Sequence, residues 1–262
     1  MSDKPVILFF AFDLMSHFFR SLRVAIALKD HYEVYMNGSD KYAYWLNKSG
    51  LKTFDCIELD AENALDKTGK FDFSWLNASA LESVFLEQVK VMKAYKPALV
   101  IGDTSFSLKM AAEASGVEYL SILNGYSTRY YQLTRRLSSE HPVAPKINWL
   151  PDIFLLPMVR MGEAWNFAQI LKEFNKVRAK YKLQKTTHYL EELAGNENVI
   201  CDLPEIFPQR NLPGNFRFIG PLFYKNGMKG DPVLEKRDPN KKTILITMGS
   251  SREWEHFTFF NN

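Results

Sequence analysis

Two side chains in this sequence have the types and positions suited to moving a proton: His17 and Asp103. An imidazole whose Nδ1–H is held by a carboxylate keeps its other nitrogen free to act as a general base, and the carboxylate supports the positive charge that follows. That is the His–Asp half of a catalytic triad, without a serine nucleophile. His17 follows the apolar run Val6 to Phe12, after a break at Asp13 to Ser16. Asp103 closes a second apolar run, Ala98 to Gly102. Each residue also has an ordinary reading: Asp103 as the N-cap of the next helix, and His17 as a solvated residue in a first helical turn.

For the pair to work, the elements around it must bring the two residues together. Short apolar runs of this kind are strands buried on both faces of a sheet. The pattern predicts strands at 6–12, 33–36, 56–59, 98–102, 119–123, 199–203 and 216–219. Helices are expected at 17–30, 41–49, 80–95, 105–115, 161–181 and 187–194. Leu81, Val84, Phe85, Val89 and Met92 form one stripe, and Phe167, Ile170, Leu171, Phe174 and Tyr181 another. Alternating strands and helices imply a Rossmann-like, doubly wound, mostly parallel α/β sheet. With strand order 3-2-1-4-5, the first and fourth strands are neighbours, and their carboxyl ends share one crevice. Topology alone then places His17 and Asp103 at the same rim.

The segment 124–160 contains Pro142, Pro145, Pro151 and Pro157 among aromatic residues, and reads either as a surface excursion or as a flap over a pocket. Asn124 and Tyr126 follow the fifth strand and lie on the same rim; Asn124 suits either a ligand contact or a turn that needs positive φ. Residues 225–241 have the polar, Gly- and Pro-punctuated composition of a linker. Thr243 to Met248 then opens a fresh buried strand, followed by the turn Gly249-Ser250-Ser251. This divides the chain into a domain at 1–224, a linker at 225–241, and the first strand of a second α/β domain at 242–262. On this reading the chain is expected to be cut short.

The 262 residues carry a net charge of +3, with 46% hydrophobic and 24% charged residues, the balance of a globular protein rather than of a nucleic-acid binder. The 20 phenylalanines and 12 tyrosines fit either a well-filled core or an aromatic-lined pocket. Cys56 and Cys201 are expected to be buried and reduced, as in a cytoplasmic protein. No signal peptide or transmembrane run is expected. The turn after the first strand lacks the G-x-G-x-x-G glycines of a dinucleotide site, and the histidines lack ligand spacing. Neither a cofactor nor a metal is therefore expected.

The segment Val6 to Val34, with Ser16-His17-Phe18-Phe19-Arg20 at its middle, resembles the amino terminus of GT-B glycosyltransferases. The likeness is to the UDP-glucosyl/UDP-glucuronosyltransferase family, including its bacterial macrolide-type members. Pro97 to Asp103, Ala111-Ala112 to Leu123, Phe218-Ile219-Gly220-Pro221-Leu222 and Ile244 to Ser251 continue the likeness in order. The resemblance implies an inverting transfer of sugar from a nucleotide sugar, a UDP-sugar by likeness, to a small, partly apolar acceptor. It implies that His17 takes the acceptor proton and Asp103 orients it. The turn Gly249-Ser250 would approach the donor; beside what the resemblance implies, Phe18, Asn124 and Tyr126 are candidates for the acceptor side and Ser16 for the donor side.

Two departures stand out. Ser16 replaces the family's usual glycine, and Arg20 its frequent proline. Arg20 reads as a solvated helix arginine or as a contact to a donor phosphate. The isolated chain, with one wall of the cleft, is expected not to turn over. The alternative is a non-catalytic module that pairs with a separate donor-binding chain.

Overall fold

The first apolar run forms β1 (Val6–Ala11). Ile7, Phe9 and Ala11 point into one hydrophobic core, while Leu8, Phe10 and the following Phe12 point into another. A strand buried on both faces has no polar side, which is why the run shows no alternation. The computed structural model describes residues 4–135, 137, 141–225 and 240–242.

After β1 the chain continues through α1 (Met15–Leu28), β2 (Glu33–Asn37), α2 (Ala43–Ser49), β3 (Lys52–Phe54), α3 (Ala61–Gly69), α4 (Ala78–Tyr95), β4 (Leu99–Asp103), α5 (Leu108–Ser115) and β5 (Glu118–Leu123). Then come α6 (Ala144–Ile147), α7 (Asp152–Lys180), β6 (Glu197–Ile200) and β7 (Phe216–Phe218). The seven strands form one sheet in the order β3-β2-β1-β4-β5-β6-β7, and every pair is parallel. This is a Rossmann-like α/β fold. Side chains of α1 and α2 fill one core, and those of α3, α4, α5 and α7 fill the other. The crossovers therefore change face between β1 and β4, leaving a crevice at the carboxyl ends of those two strands.

The helix boundaries have local causes. Asn77 caps α4 by accepting from the Ala80 amide (3.0 Å), and Lys96, at φ 47°, ends it just before Pro97. Asp60 caps α3 through the amides of Glu62 and Asn63, both at 3.0 Å.

Several expected elements differ. The strand expected at 56–59 is instead β3 at Lys52–Phe54, because the backbone of β2 pairs with Lys52, Thr53 and Phe54. Only Phe54 is buried there, so this edge strand has no apolar signature. Cys56 accordingly lies outside the sheet and is half-buried, while Cys201 is buried; both are free thiols. The helix expected at 161–181 begins earlier, at Asp152, and passes through Pro157. Pro157 leaves only the Ile153 carbonyl without its helical donor, and Ile153 is exposed to water. The helix expected at 187–194 is a single 3-10 turn, Tyr189–Glu191.

Tyr224 returns to the sheet and packs its ring 4.9 Å from that of Phe19. Most of the expected linker and all of the expected second-domain strand, with Gly249 and Ser250, lie outside the described residues. Among the described residues no helix is long and apolar enough to cross a membrane.

Candidate active site

β1 and β4 run side by side with Ala11 opposite Asp103, and the Phe12 amide donates to the Asp103 carbonyl (3.2 Å). The chain then turns and α1 begins at Met15, so His17 sits in its first turn, directly over the tip of β4. His17 Nδ1 lies 2.6 Å from Asp103 Oδ1. We assign Nδ1 as the proton-bearing nitrogen, because a carboxylate oxygen at this distance requires a donor. Nε2 is left with its lone pair. The Asp103 side chain is fully buried, and that of His17 is 14% exposed.

Gly102 lets Asp103 take this position, since a Cβ there would collide with Leu108 on α5. Thr104 follows at φ 57°, a left-handed conformation that β-branched residues rarely adopt. Its Oγ1 lies 3.1 Å from His17 Nδ1 and donates to Asp103 Oδ1 at 3.3 Å. Asp103 is not the N-cap of α5; Ser107 holds that position.

Arg20 completes the cluster, and it is not solvated. Its Nε donates to Asp103 Oδ2 (2.8 Å), its Nη2 to Oδ1 (2.7 Å), and its Nη1 to Asn124 Oδ1. Its side chain is 13% exposed. Burial on its own would lower the guanidinium's pKa, but the charge and hydrogen bonds of Asp103 outweigh this and raise it. Sequence reasoning missed this role. The available signal was the three-residue spacing from His17, which puts both side chains on one helix face.

Asn124 has φ −80°, so it is not a positive-φ turn residue. Its amide nitrogen donates to the Tyr126 hydroxyl (2.9 Å). The loop is pinned by Asp202, whose Oδ2 accepts from the Gly125 amide (2.6 Å), and a Cβ at Gly125 would collide with Phe207. Tyr126 is exposed at the rim, as is Ser16 at the start of α1. Phe18 has no exposed surface and packs 4.5 Å from the Tyr42 ring, so it supports α1 from beneath rather than lining the crevice.

His17 instead opens on a cleft of about 200 Å³ whose walls include Phe12, Leu14, Phe73, Trp75, Phe106 and Tyr189. Phe106 stands edge-on to both Phe12 (5.6 Å) and Trp75 (5.1 Å). Trp75 Nε1 is buried and has no hydrogen-bond partner among the described residues. Phe73 and Trp75 lie on the α3–α4 connection, where the sequence shows no periodic pattern. None of the described residues of the long excursion after β5 lines the cleft.

A thiolate nucleophile does not fit the site. Burial pushes the Cys201 thiol, close to Arg20 and Asp103, up to about 12, and does the same to Cys56, so neither is a thiolate nucleophile. Among the described residues no group of three His, Cys, Asp or Glu side chains could hold a metal ion.

A second carboxyl lies at the neighbouring strand tips. Asn37 at the end of β2 holds Ala11 through both its amide and carbonyl (2.8 and 3.1 Å) and also donates to Glu58 Oε1. Burial first, and nearby Asp13 second, raise Glu58 well above the usual carboxylate value. A raised acid favours its protonated form in the fold, so its contribution is lost as pH climbs from the ordinary carboxylate range through the folded-state value. We expect Glu58→Gln to melt higher than wild type at pH 7 and to show a flatter dependence of melting temperature on pH. Parallel curves for the two proteins would remove Glu58 from this account.

The fold is shared with solved glycosyltransferases. Spinosyn forosaminyltransferase SpnP superposes with a TM-score of 0.51 and 18% identity over 91% of this chain and 56% of its own. The curated relatives are glycosyltransferases. A PGL/p-HBAD biosynthesis glycosyltransferase of Mycobacterium tuberculosis (strain ATCC 25177 / H37Ra) is 26% identical over 180 residues, which is 67% of this chain and 40% of that protein. An inactive PGL/p-HBAD biosynthesis glycosyltransferase of Mycobacterium bovis (strain BCG / Pasteur 1173P2) matches equally, at 26% identity over 67% of this chain and 47% of that protein. The chain thus spans less than half the length of these relatives. No family model matches it.

Proposed function

We propose that this chain is the acceptor-binding half of an inverting glycosyltransferase that uses a nucleotide sugar, a UDP-sugar by likeness to the family. The observation that carries the reading is the 2.6 Å contact between His17 and Asp103 at adjoining strand tips, beside an apolar cleft that His17 itself lines. In the reaction, an acceptor hydroxyl seated in the cleft gives its proton to His17 Nε2. The oxygen attacks the anomeric carbon, the bond to the nucleoside diphosphate breaks, and one displacement inverts the configuration. Asp103 holds the proton on Nδ1 and balances the imidazolium as it forms.

The first turn of α1 suits the donor side. Leu14 makes no side-chain cap, so amides near the exposed Ser16 are available to an anionic diphosphate. We assign Ser16 to that contact, and Gly249 and Ser250 by family likeness alone. We place Asn124 and Tyr126 toward the acceptor from their position after β5, beyond the residues that line the cleft. The cleft favours a small acceptor with an apolar ring, such as a phenol.

A second reading, a binding module that performs no transfer, is favoured by the inactive relative. One experiment separates the two: the chain joined at its carboxyl end to the part of the M. tuberculosis relative that it does not match, assayed with UDP-sugars and phenols. Transfer with inverted anomeric configuration is the expected result. A fusion that binds UDP-sugar yet transfers nothing would overturn the catalytic reading. In the same assay Trp75→Ala should raise the acceptor KM about tenfold or more, the equivalent of losing roughly 1.4 kcal/mol of contact, with a smaller change in kcat. An unchanged KM would place the acceptor elsewhere.

A further inference from the structure

We infer that Arg20 is a positioning residue: its bidentate grip on Asp103 keeps the His17 proton on Nδ1, and so leaves Nε2 as the base. The inference rests on the proposed role of His17 for its functional meaning, though its physical content can be tested without any reaction.

A carboxylate can rotate about its Cβ–Cγ bond, and a single partner does not stop it. Arg20 supplies two parallel bonds, Nε to Oδ2 at 2.8 Å and Nη2 to Oδ1 at 2.7 Å, which fix the plane of the group. That plane aims Oδ1 at His17. Nδ1 and Nη2 converge on this one oxygen, which brings them within 2.9 Å of each other. The third arm, Nη1, reaches Asn124 Oδ1, and the Asn124 amide is itself oriented by the Tyr126 hydroxyl. Arg20 therefore links α1, the tip of β4 and the loop after β5 through one planar group.

The same bonds answer what the sequence left open. Nε, Nη1 and Nη2 each spend a hydrogen on Asp103 or Asn124, which commits the guanidinium to the protein before any donor phosphate. Asp103 has no exposed surface, and a buried carboxylate needs a counter-charge whether or not the imidazole is protonated. Arg20 provides it permanently, because a guanidinium does not lose its proton in this range. Without Arg20, the carboxyl takes up a proton or turns aside. Either change removes the acceptor that holds the proton on Nδ1. The imidazole then reverts to carrying its proton on Nε2, and its base faces away from the substrate. Lysine cannot substitute, since one ammonium group does not bridge both carboxylate oxygens and Asn124.

The test is the tautomer of His17, read from long-range proton–nitrogen spectra of the chain labelled at its five histidines. Spectra are recorded with the ring neutral, and the signal is assigned by its loss in His17→Gln. The wild type should show the Nδ1–H form. Arg20→Met should convert most of it to Nε2–H, and Arg20→Lys should resemble Arg20→Met rather than wild type. Asn124→Ala, which removes the third arm and the bond to Tyr126 but leaves both bonds to Asp103, should give a partial shift. Millimolar guanidinium added to Arg20→Ala should restore the wild-type pattern.

Retention of Nδ1–H in a folded Arg20→Met or Arg20→Lys protein would overturn the proposal. If Arg20→Met does not fold, Arg20→Lys and Asn124→Ala decide it. No donor or acceptor is present, so a failed transfer assay with the expected tautomer shift rejects the glycosyltransferase reading and leaves this one standing.

Discussion

Replacing His17 with alanine in the fused protein should lower kcat by about 10²- to 10⁴-fold, the range general-base catalysis supplies. Nδ1 is committed to Asp103 at 2.6 Å, so the proton of the acceptor can go only to Nε2. Alanine leaves the carboxylate in place, still neutralised by Arg20, and leaves the cleft walls intact. The acceptor should therefore bind with little change, and the affinity for sugar nucleotide, measured by calorimetry, should move less than twofold or so given that no donor contact is removed. The effect should fall on kcat. Asp103→Asn should also reduce kcat, because an amide can offer the imidazole a donor as readily as an acceptor and so loses control of the tautomer. A His17→Ala protein with undiminished turnover would remove this residue from the mechanism and leave the site without a base.

What made His17 and Asp103 readable in the sequence is that each follows a strand buried on both faces. Such strands are uniform apolar runs, and the order of a doubly wound sheet then puts the first and fourth side by side. The two side-chain types and the topology that brings them together were legible in the same runs. β3 was not, because an edge strand with one buried residue, Phe54, has no pattern to read. α3 was passed over because only Ala61 and Ala64 of its nine residues are buried, although the Asp60 cap was a usable signal.

The start of α7 was obscured by Pro157 and by Ile153, Phe154, Met161 and Trp165, which are all exposed apolar residues where helix periodicity predicts polar ones. Phe18 misled in the opposite sense: it is adjacent to His17 in sequence, but a helical step of one turns it into the core. The cleft walls come from five separate segments of chain, and no local spacing could have assembled them. Arg20 lies between these cases. Its spacing was visible, but its partner Asn124 is 104 residues away.

A different arginine should carry the largest effect on stability. Arg178, on α7, is 1% exposed. Its Nε and Nη2 grip Glu192, also fully buried, at 2.7 and 2.9 Å. Its Nη1 reaches Glu113 on α5 at 2.5 Å and the Gln184 carbonyl at 2.8 Å. Burial would lower this guanidinium, but its bonds to Glu192 and Glu113 prevail and raise it. The cluster fastens α7 to the segment that carries Tyr189, one wall of the cleft. Arg178→Met removes the cation but leaves the Glu192 carboxylate buried, which should cost about 3–5 kcal/mol. Glu113 contributes little to that cost, since its side chain is 38% exposed and can turn to water. Replacing both partners, Arg178→Met with Glu192→Leu, leaves no orphan charge and should recover most of the loss. Urea unfolding of the two single variants and the double variant measures this directly. The expected outcome is a strongly non-additive cycle, with the double variant more stable than Arg178→Met. If the losses simply add, packing rather than the buried charge holds α7 in place, and Tyr189 keeps its position for a different reason.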